Sequence, residues 1–308
     1  MTTLIREVKI VKVITSNRVI YTFSPDMEAV EKISPNEVVE VETKDCFSNQ
    51  IKSEEQLVNE IDFSKINPAT GPIFIEGAEV GDVIKVDILK INLPKEGHII
   101  VAPNEGVLGE LVKQARTRVV KIENGICHFK DISIPAKPMI GVIGVAPSQE
   151  DGEYPTGTPY KHGGNMDTSD IGEGSSLYLP VNQKGALLAL GDCHAVMGDG
   201  EVCVSGCEIP SIVKLKVEVI KDVDLKWPIV ETSESFEIIT SANTVEEAIK
   251  EATRCAVERL SKNLELDWND AYMLASLVVD IKVSQVVDPK KTVRASIPKY
   301  ILLNSTCV

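Results

Sequence analysis

Gly, Pro and Asn recur about every 8–15 residues through the first two-thirds of the chain, separated by short runs rich in Val and Ile. That spacing leaves room for short strands and none for long helices. Val8–Ile14, Val38–Thr43, Val83–Ile88, Arg118–Ile122, Ile140–Val145, Ala186–Leu190 and Val213–Ile220 read as strands. Lys85, Asp87 and Leu89 alternate with Ile84, Val86 and Ile88, as a half-buried strand requires. Pro72–Glu76 and Asp82–Asp87 flank the loop Gly77–Gly81, a length suited to a β-hairpin.

The texture changes near residue 230. Thr244 and Glu247 form a capping box, and Val245, Ala248, Ile249, Ala252, Ala256 and Leu260 then recur at helical spacing. A second helix is expected from Asp267 to about Val279, with Leu274, Leu277 and Val278 facing inward. Ile281–Val287 reads as a buried strand that Asp288-Pro289 ends. The expectation is one mainly β domain spanning 1–308. Within it a β framework covers roughly 1–230 and a C-terminal α+β section covers 231–308.

The chain has 308 residues and a formal net charge of −14, with 43% hydrophobic residues. It is too apolar to be disordered. Its acidic balance argues against nucleic acid and anionic membrane surfaces, which attract basic patches. A small neutral or cationic ligand, or a metal ion, suits that field better. The first residues interleave Arg6, Glu7, Lys9 and Lys12 with apolar ones, unlike a signal peptide. No run of about 18 apolar residues suggests a membrane helix. The seven cysteines are odd in number and scattered, so they read as reduced thiols and the expected location is cytoplasmic.

Candidate chemistry concentrates between residues 141 and 210. Pro147–Gly174 is long, aperiodic and rich in Gly, Pro, Thr, Asp and Asn, and it contains His162-Gly-Gly-Asn165-Met-Asp167. Two glycines there permit unusual torsions and close approach to a ligand, though a glycine-rich surface loop fits the composition equally. Gly191-Asp-Cys-His194 follows an apolar run. The i, i+2 spacing of Asp192 and His194 puts both side chains on one face of a strand. Such a pair can share a divalent ion, or the carboxylate can orient the imidazole. The same residues also fit a β-turn with exposed acids and a hydrogen-bonded histidine, and the local pattern does not choose between them. Asp199-Gly-Glu201 is a turn able to return a carboxylate to this region, with Glu208 just downstream. Asp45 joins such a constellation only if the fold carries it to His194. His98 and His128 read as solvated or simply hydrogen-bonded.

Neighbours on a strand point to opposite faces, so His194 is badly placed to activate Cys193. Cys193, Cys203 and Cys207 read as small buried hydrophobes. No phosphate-binding glycine loop, GxGxxG turn or GxSxG elbow is present, which removes nucleotide binding and serine-hydrolase chemistry.

The chain resembles the acetamidase/formamidase family. The resemblance rests on Asn67–Pro72, Glu76–Asp82, Gly141–Pro147, Gly163–Asp167, Gly191–His194 with Gly198–Val202, Asp270–Tyr272 and Val283–Pro289. Several separated motifs in order carry far more weight than Asp-x-His alone. The resemblance implies a β-sandwich-like fold, homo-oligomers, and hydrolysis of a short amide such as formamide or acetamide to the acid and ammonia. It also implies a divalent metal, zinc first, with calcium or magnesium as alternatives. His194, Asp45, Asp167 and Asp192 are the ligand candidates on that basis. Glu201, Glu208 and Asp192 are candidates for general acid/base work, and Asn165, Gly163 and Gly164 for positioning the carbonyl oxygen. A cysteine nucleophile at Cys193 and a non-catalytic metal- or ligand-binding β protein stand as rival readings.

Overall fold

The computed structural model describes residues 11–302, and its strands form two large sheets that share one apolar core. Val38–Thr43 shows the local logic. Val39, Val41 and Thr43 turn inward while Val38, Glu40 and Glu42 stay partly exposed. This strand pairs with Ser211–Ile220 in the register Val39–Leu215 and Val41–Val213. Ser211–Ile220 pairs on its other side with Val83–Ile91. The nine-stranded sheet continues through Ser176–Pro180, Ile229–Glu231, Ser235–Ala242 and Lys291–Pro298 to an edge at Asp280–Gln285.

The eleven-stranded sheet runs from Ile132–Pro135 through Ile126–Phe129, Arg116–Glu123, Glu96–Val101 and Glu208–Ile209 to Leu188–His194, Met139–Gly144 and Gly163–Asn165. Ala69–Ile75 also joins it through Leu188–His194. Val39, Val86 and Leu215 from one sheet share the core with Ile73, Ile140 and Leu190 from the other. Each such side chain contributes about 1.5–3 kcal/mol through burial. The architecture is therefore mainly β, with helices confined to the C-terminal part.

The capping box is formed as expected: Thr244 Oγ1 accepts the Glu247 N–H at 3.2 Å, and the Glu247 carboxylate accepts the Thr244 N–H at 3.2 Å. Helix Val245–Leu264 lays Ala248, Ala252, Ala256, Val257 and Leu260 on strands Ser235–Ala242 and Lys291–Pro298. Among the described residues, no helix is long and apolar enough to cross a membrane.

Several local expectations change. Pro72–Glu76 and Asp82–Asp87 do not form a hairpin, because Ala69–Ile75 pairs in one sheet and Val83–Ile91 in the other. Each strand takes its backbone partners in a different sheet, so the intervening turn is a crossover. In helix Trp268–Val278 the buried residues are Ala271 and Ala275; Leu274 packs, partly buried, against the same cluster as expected, whereas Leu277 is 80% exposed. Small residues at i and i+4 let this helix approach its neighbour closely, which turns Leu277 outward. Asp280–Gln285 is an edge strand with Ile281 exposed, not a buried one. Only Lys12–Ile14 of the expected first strand is seen as strand; its start at Val8 lies outside the described residues, as does Cys307.

His162, from the glycine-rich loop, is buried against Phe23 and stacked on Tyr154 at 4.9 Å. Neither ring nitrogen has a hydrogen-bond partner among the described residues, and burial pushes its pKa down to about 3. The folded value lies below the ordinary value of about 6.5. The stability this neutral ring supports is therefore fully present above pH ~6.5 and is lost as pH falls toward 3, by about 1.4 kcal/mol per pH unit. Urea unfolding between pH 6 and 4 should show a shallower loss in His162→Phe than in the parent by roughly that slope. Equal slopes would show that His162 is not a source of acid lability.

Candidate active site

The edge of strand Leu188–His194 changes partner partway along. Gly191 is opposite Ala69, whereas Cys193 and His194 are opposite Ile209 and Glu208. Asp192 sits at the gap with φ 53, a left-handed conformation that an L-residue seldom adopts in a strand. Asp167 (φ 40) and Glu201 (φ 47) share that rare geometry. Uncommon backbone of this kind clusters where surrounding structure forces side chains toward a site.

Here the three acids converge on His194. Ligand atoms of Asp167, His194 and Glu201 lie within 4.8 Å of one another, and those of Cys46, Asp192 and Glu208 form a second group at the same spacing. His194 Nε2 stands 3.1 Å from Glu208 Oε2 and 3.4 Å from Asp192 Oδ1. His194 and Glu208 are direct cross-strand partners, so their side chains emerge side by side. Glu208 Oε1 accepts the Gly206 N–H at 2.8 Å, which fixes that carboxylate.

Two glycines make room. A Cβ at Gly141 would lie 2.5 Å from Asp167 Oδ1 and 2.8 Å from Asp192 Oδ2, and one at Gly206 would lie 2.8 Å from His194 Nδ1. The Asp199-Gly-Glu turn is held from the far sheet: the Gly200 N–H donates to the Ser284 carbonyl, and the Val286 N–H to the Gly200 carbonyl. Arg294, buried, completes the brace. Its guanidinium donates to Asp199 and Asp170 at 2.9 Å and to Glu237 at 2.8 Å.

Burial dominates the electrostatics. It pushes the Asp167, Glu201 and Glu208 carboxyls up, and neighbouring carboxylates push them further. Asp288 is raised for the same reasons, with Asp167 and Asp192 as its charged neighbours. Burial works against the His194 imidazolium, but Glu208 and Asp192 outweigh it and hold the ring's pKa well above the ordinary value. Both nitrogens of His194, both oxygens of Asp167, Asp192 Oδ1 and Glu208 Oε2 have no in-line hydrogen-bond partner among the described residues. So many buried, unpartnered acceptors around one imidazole fit a divalent cation, and the mixed nitrogen–oxygen set is one that zinc accepts.

Of the residues expected from sequence, His194, Asp167, Asp192, Glu201 and Glu208 come together. Asp45 does not join either group. Its carboxylate accepts the Asn49 N–H at 2.6 Å and faces His98. Asn165 lines a cavity beside these acids, with Nδ2 donating to Asp288 at 3.0 Å and Oδ1 unpartnered among the described residues. The atom left free is thus an acceptor, suited to an amide N–H and not to a carbonyl oxygen. Gly163 already donates its N–H to the Tyr160 carbonyl, and neither glycine borders the cavity; their positive φ values let the chain press against Ile143 and His162.

Three residues escaped the sequence reading: Asp288, Cys46 and His98. Asp288 signalled only a strand end. Cys46 carried no signal at all, and its thiol is held neutral by burial and by Glu208 and Asp192. His98, expected to be solvated or simply hydrogen-bonded, is buried with both ring nitrogens unpartnered among the described residues, because its strand lies beside Glu208–Ile209. Cys193 lies in the core, its thiol pushed up to about 12 by burial.

A model described as the Acetamidase/Formamidase family matches residues 11–154 and 151–303. A recombinant predicted acetamidase/formamidase from Thermoanaerobacter tengcongensis is 45% identical, with TM-score 0.92, covering 95% of this chain and 97% of that one. An acetamidase from Bacillus halodurans is 41% identical, with TM-score 0.91, covering 94% and 97%. A formamidase from Methylophilus methylotrophus is 25% identical, the match covering 64% of this chain and 63% of that protein, so the chain spans less than two-thirds of that curated relative.

Gly141→Ala should crowd Asp167 and Asp192 apart, costing about 1–3 kcal/mol of stability and most of the affinity for a divalent ion. Urea unfolding with calorimetric titration of zinc checks it; unchanged zinc affinity would show that these carboxylates do not share a ligand.

Proposed function

This chain belongs to the acetamidase/formamidase family, and from that premise we propose that it hydrolyses the C–N bond of an amide to a carboxylic acid and ammonia with a divalent metal, zinc first. The observation that carries the reading is the buried Asp167–His194–Glu201 group with its orphaned ligand atoms. Asp167 and His194 would hold the ion together with Asp192, and Glu201 and Glu208 stand beside them for proton transfer. When bound, such an ion polarises a carbonyl and lowers the pKa of water from 15.7 to about 7.

The chain's own residues supply the remaining work. Asn165 Oδ1 accepts an N–H of the amide and orients its nitrogen toward the acids. Glu208, fixed by the Gly206 N–H and facing His194, accepts the proton of the attacking water. Glu201, at the cavity wall and driven toward its neutral form by burial, gives its proton to the departing nitrogen. Water's oxygen forms the new bond to the carbonyl carbon as the C–N bond breaks. A thiol mechanism through Cys193 lacks support, because that side chain packs into the core away from the cavity.

The proposal includes a cytoplasmic homo-oligomer built from single-domain subunits. The nine-stranded sheet takes strands from both sides of residue 230, which supports one domain. The exposed Trp268, Tyr272, Met273 and Leu277 face is apolar surface of the sort that association buries.

Chelation should abolish ammonia release from short amides, and one restored ion should return it. His194→Ala should lose bound metal and at least a hundredfold in rate while unfolding cooperatively, and Glu201→Gln should lose about 10²–10⁴-fold. Cys193→Ala should retain activity. A metal-free, fully active His194→Ala protein would end the reading.

A further inference from the structure

The cavity above the acid cluster holds about 550 Å³. Acetamide, with four non-hydrogen atoms, would occupy roughly 120 Å³ at about 30 Å³ per atom, the share of a water in the liquid. An ion with a few waters still leaves more than half the space unfilled. The cavity is also chemically divided. Asn165, Asp192, Glu201, Glu208 and Asp288 form the acid end, while Phe47, Val58, Phe63, Ile66, Ile100 and Val204 make most of the remaining wall, with Asn59, Asn67 and Glu105 among them. Phe47, Val58 and Ile100 belong to a small apolar cluster of their own, so this wall is packed and pre-formed. Among the described residues, no Lys, Arg or His lines it.

Resting on the amidase reading, we infer that this site takes primary amides whose acyl part is an uncharged apolar chain of about four to six carbons, held against the Phe47–Ile100 wall. The orientation follows from charge. The departing nitrogen leaves as ammonia or ammonium and belongs among the acids, which directs the acyl chain toward the apolar wall. Water adds to the carbonyl carbon, the C–N bond breaks, and the nitrogen carries away the transferred protons; the chain itself is unchanged. With no cation on the wall, a carboxylate at the far end of the chain would be desolvated without a partner.

The test is ammonia release from formamide, acetamide, butyramide and hexanamide, and from adipamic acid, which matches hexanamide in length but ends in a carboxylate. Each added methylene should raise kcat/KM about fourfold, the equivalent of ~0.8 kcal/mol per buried CH₂. Adipamic acid should be at least tenfold poorer than hexanamide. Ala115→Phe, which fills the cavity from a half-buried wall position, should lower the hexanamide-to-acetamide ratio at least tenfold. Phe63→Ala, at an exposed rim position that tolerates truncation, should lower the same ratio less steeply. A kcat/KM that falls from acetamide to hexanamide, or equal turnover of hexanamide and adipamic acid, overturns the inference and leaves the amidase reading standing. No ammonia from any of the five overturns both.

Discussion

Five carboxylates, four of them fully buried, crowd around one imidazole in the interior of this sandwich. Placing like charges together away from water is among the costliest arrangements a fold can hold, and it persists only where protons or a cation neutralise them. Every unusual feature nearby answers to that demand. Burial raises the Asp167, Glu201, Glu208 and Asp288 carboxyls, the neighbouring acids hold the His194 pKa up against burial, and ligand atoms stand without partners among the described residues. A site so arranged is stabilised by what enters it.

The β framework tolerates the cluster because the frame is braced from outside. Arg294, one sheet away, neutralises Glu237 and ties down both Asp170 and Asp199, the residues that flank Asp167 and Glu201 in sequence. Ser284 and Thr168 hydroxyls meet at 2.9 Å, joining the glycine-rich loop to the C-terminal edge strand. The C-terminal section is therefore part of the site's support as well as a layer of the fold. Breaking a buried cation away from such partners would leave charges without compensation, at about 3–5 kcal/mol.

Much of the fold was legible in local sequence. Val38–Thr43 was found at its observed limits, and Thr244 with Glu247 announced the helix that begins there. The inward face of Val245–Leu264 followed from periodicity alone. Errors arose where a tertiary partner overrode the local pattern. Leu277 is apolar and helical, yet Ala271 and Ala275 won the interior because small residues bring helices closer. Gly77–Gly81 has hairpin length, yet each flanking strand belongs to a different sheet. In the site, Asp192 and His194 were visible because i and i+2 share a strand face; Asp288 and Cys46 were not, because neither is near His194 in the chain.

Sequence by itself determined the mainly β architecture, the helical end, the acidic character and the strand face that carries Asp192 and His194. Those properties come from periodicity, turn chemistry and capping, all of which act over a few residues. Only the tertiary structure decided which acids meet. It brought Asp288 and Cys46 to the cavity, kept Asp45 with Asn49 and His98, and turned Cys193 into the core. The reason is that proximity between distant segments depends on sheet order and strand register. These are set by the packing of the whole core, and no short stretch of the chain encodes them.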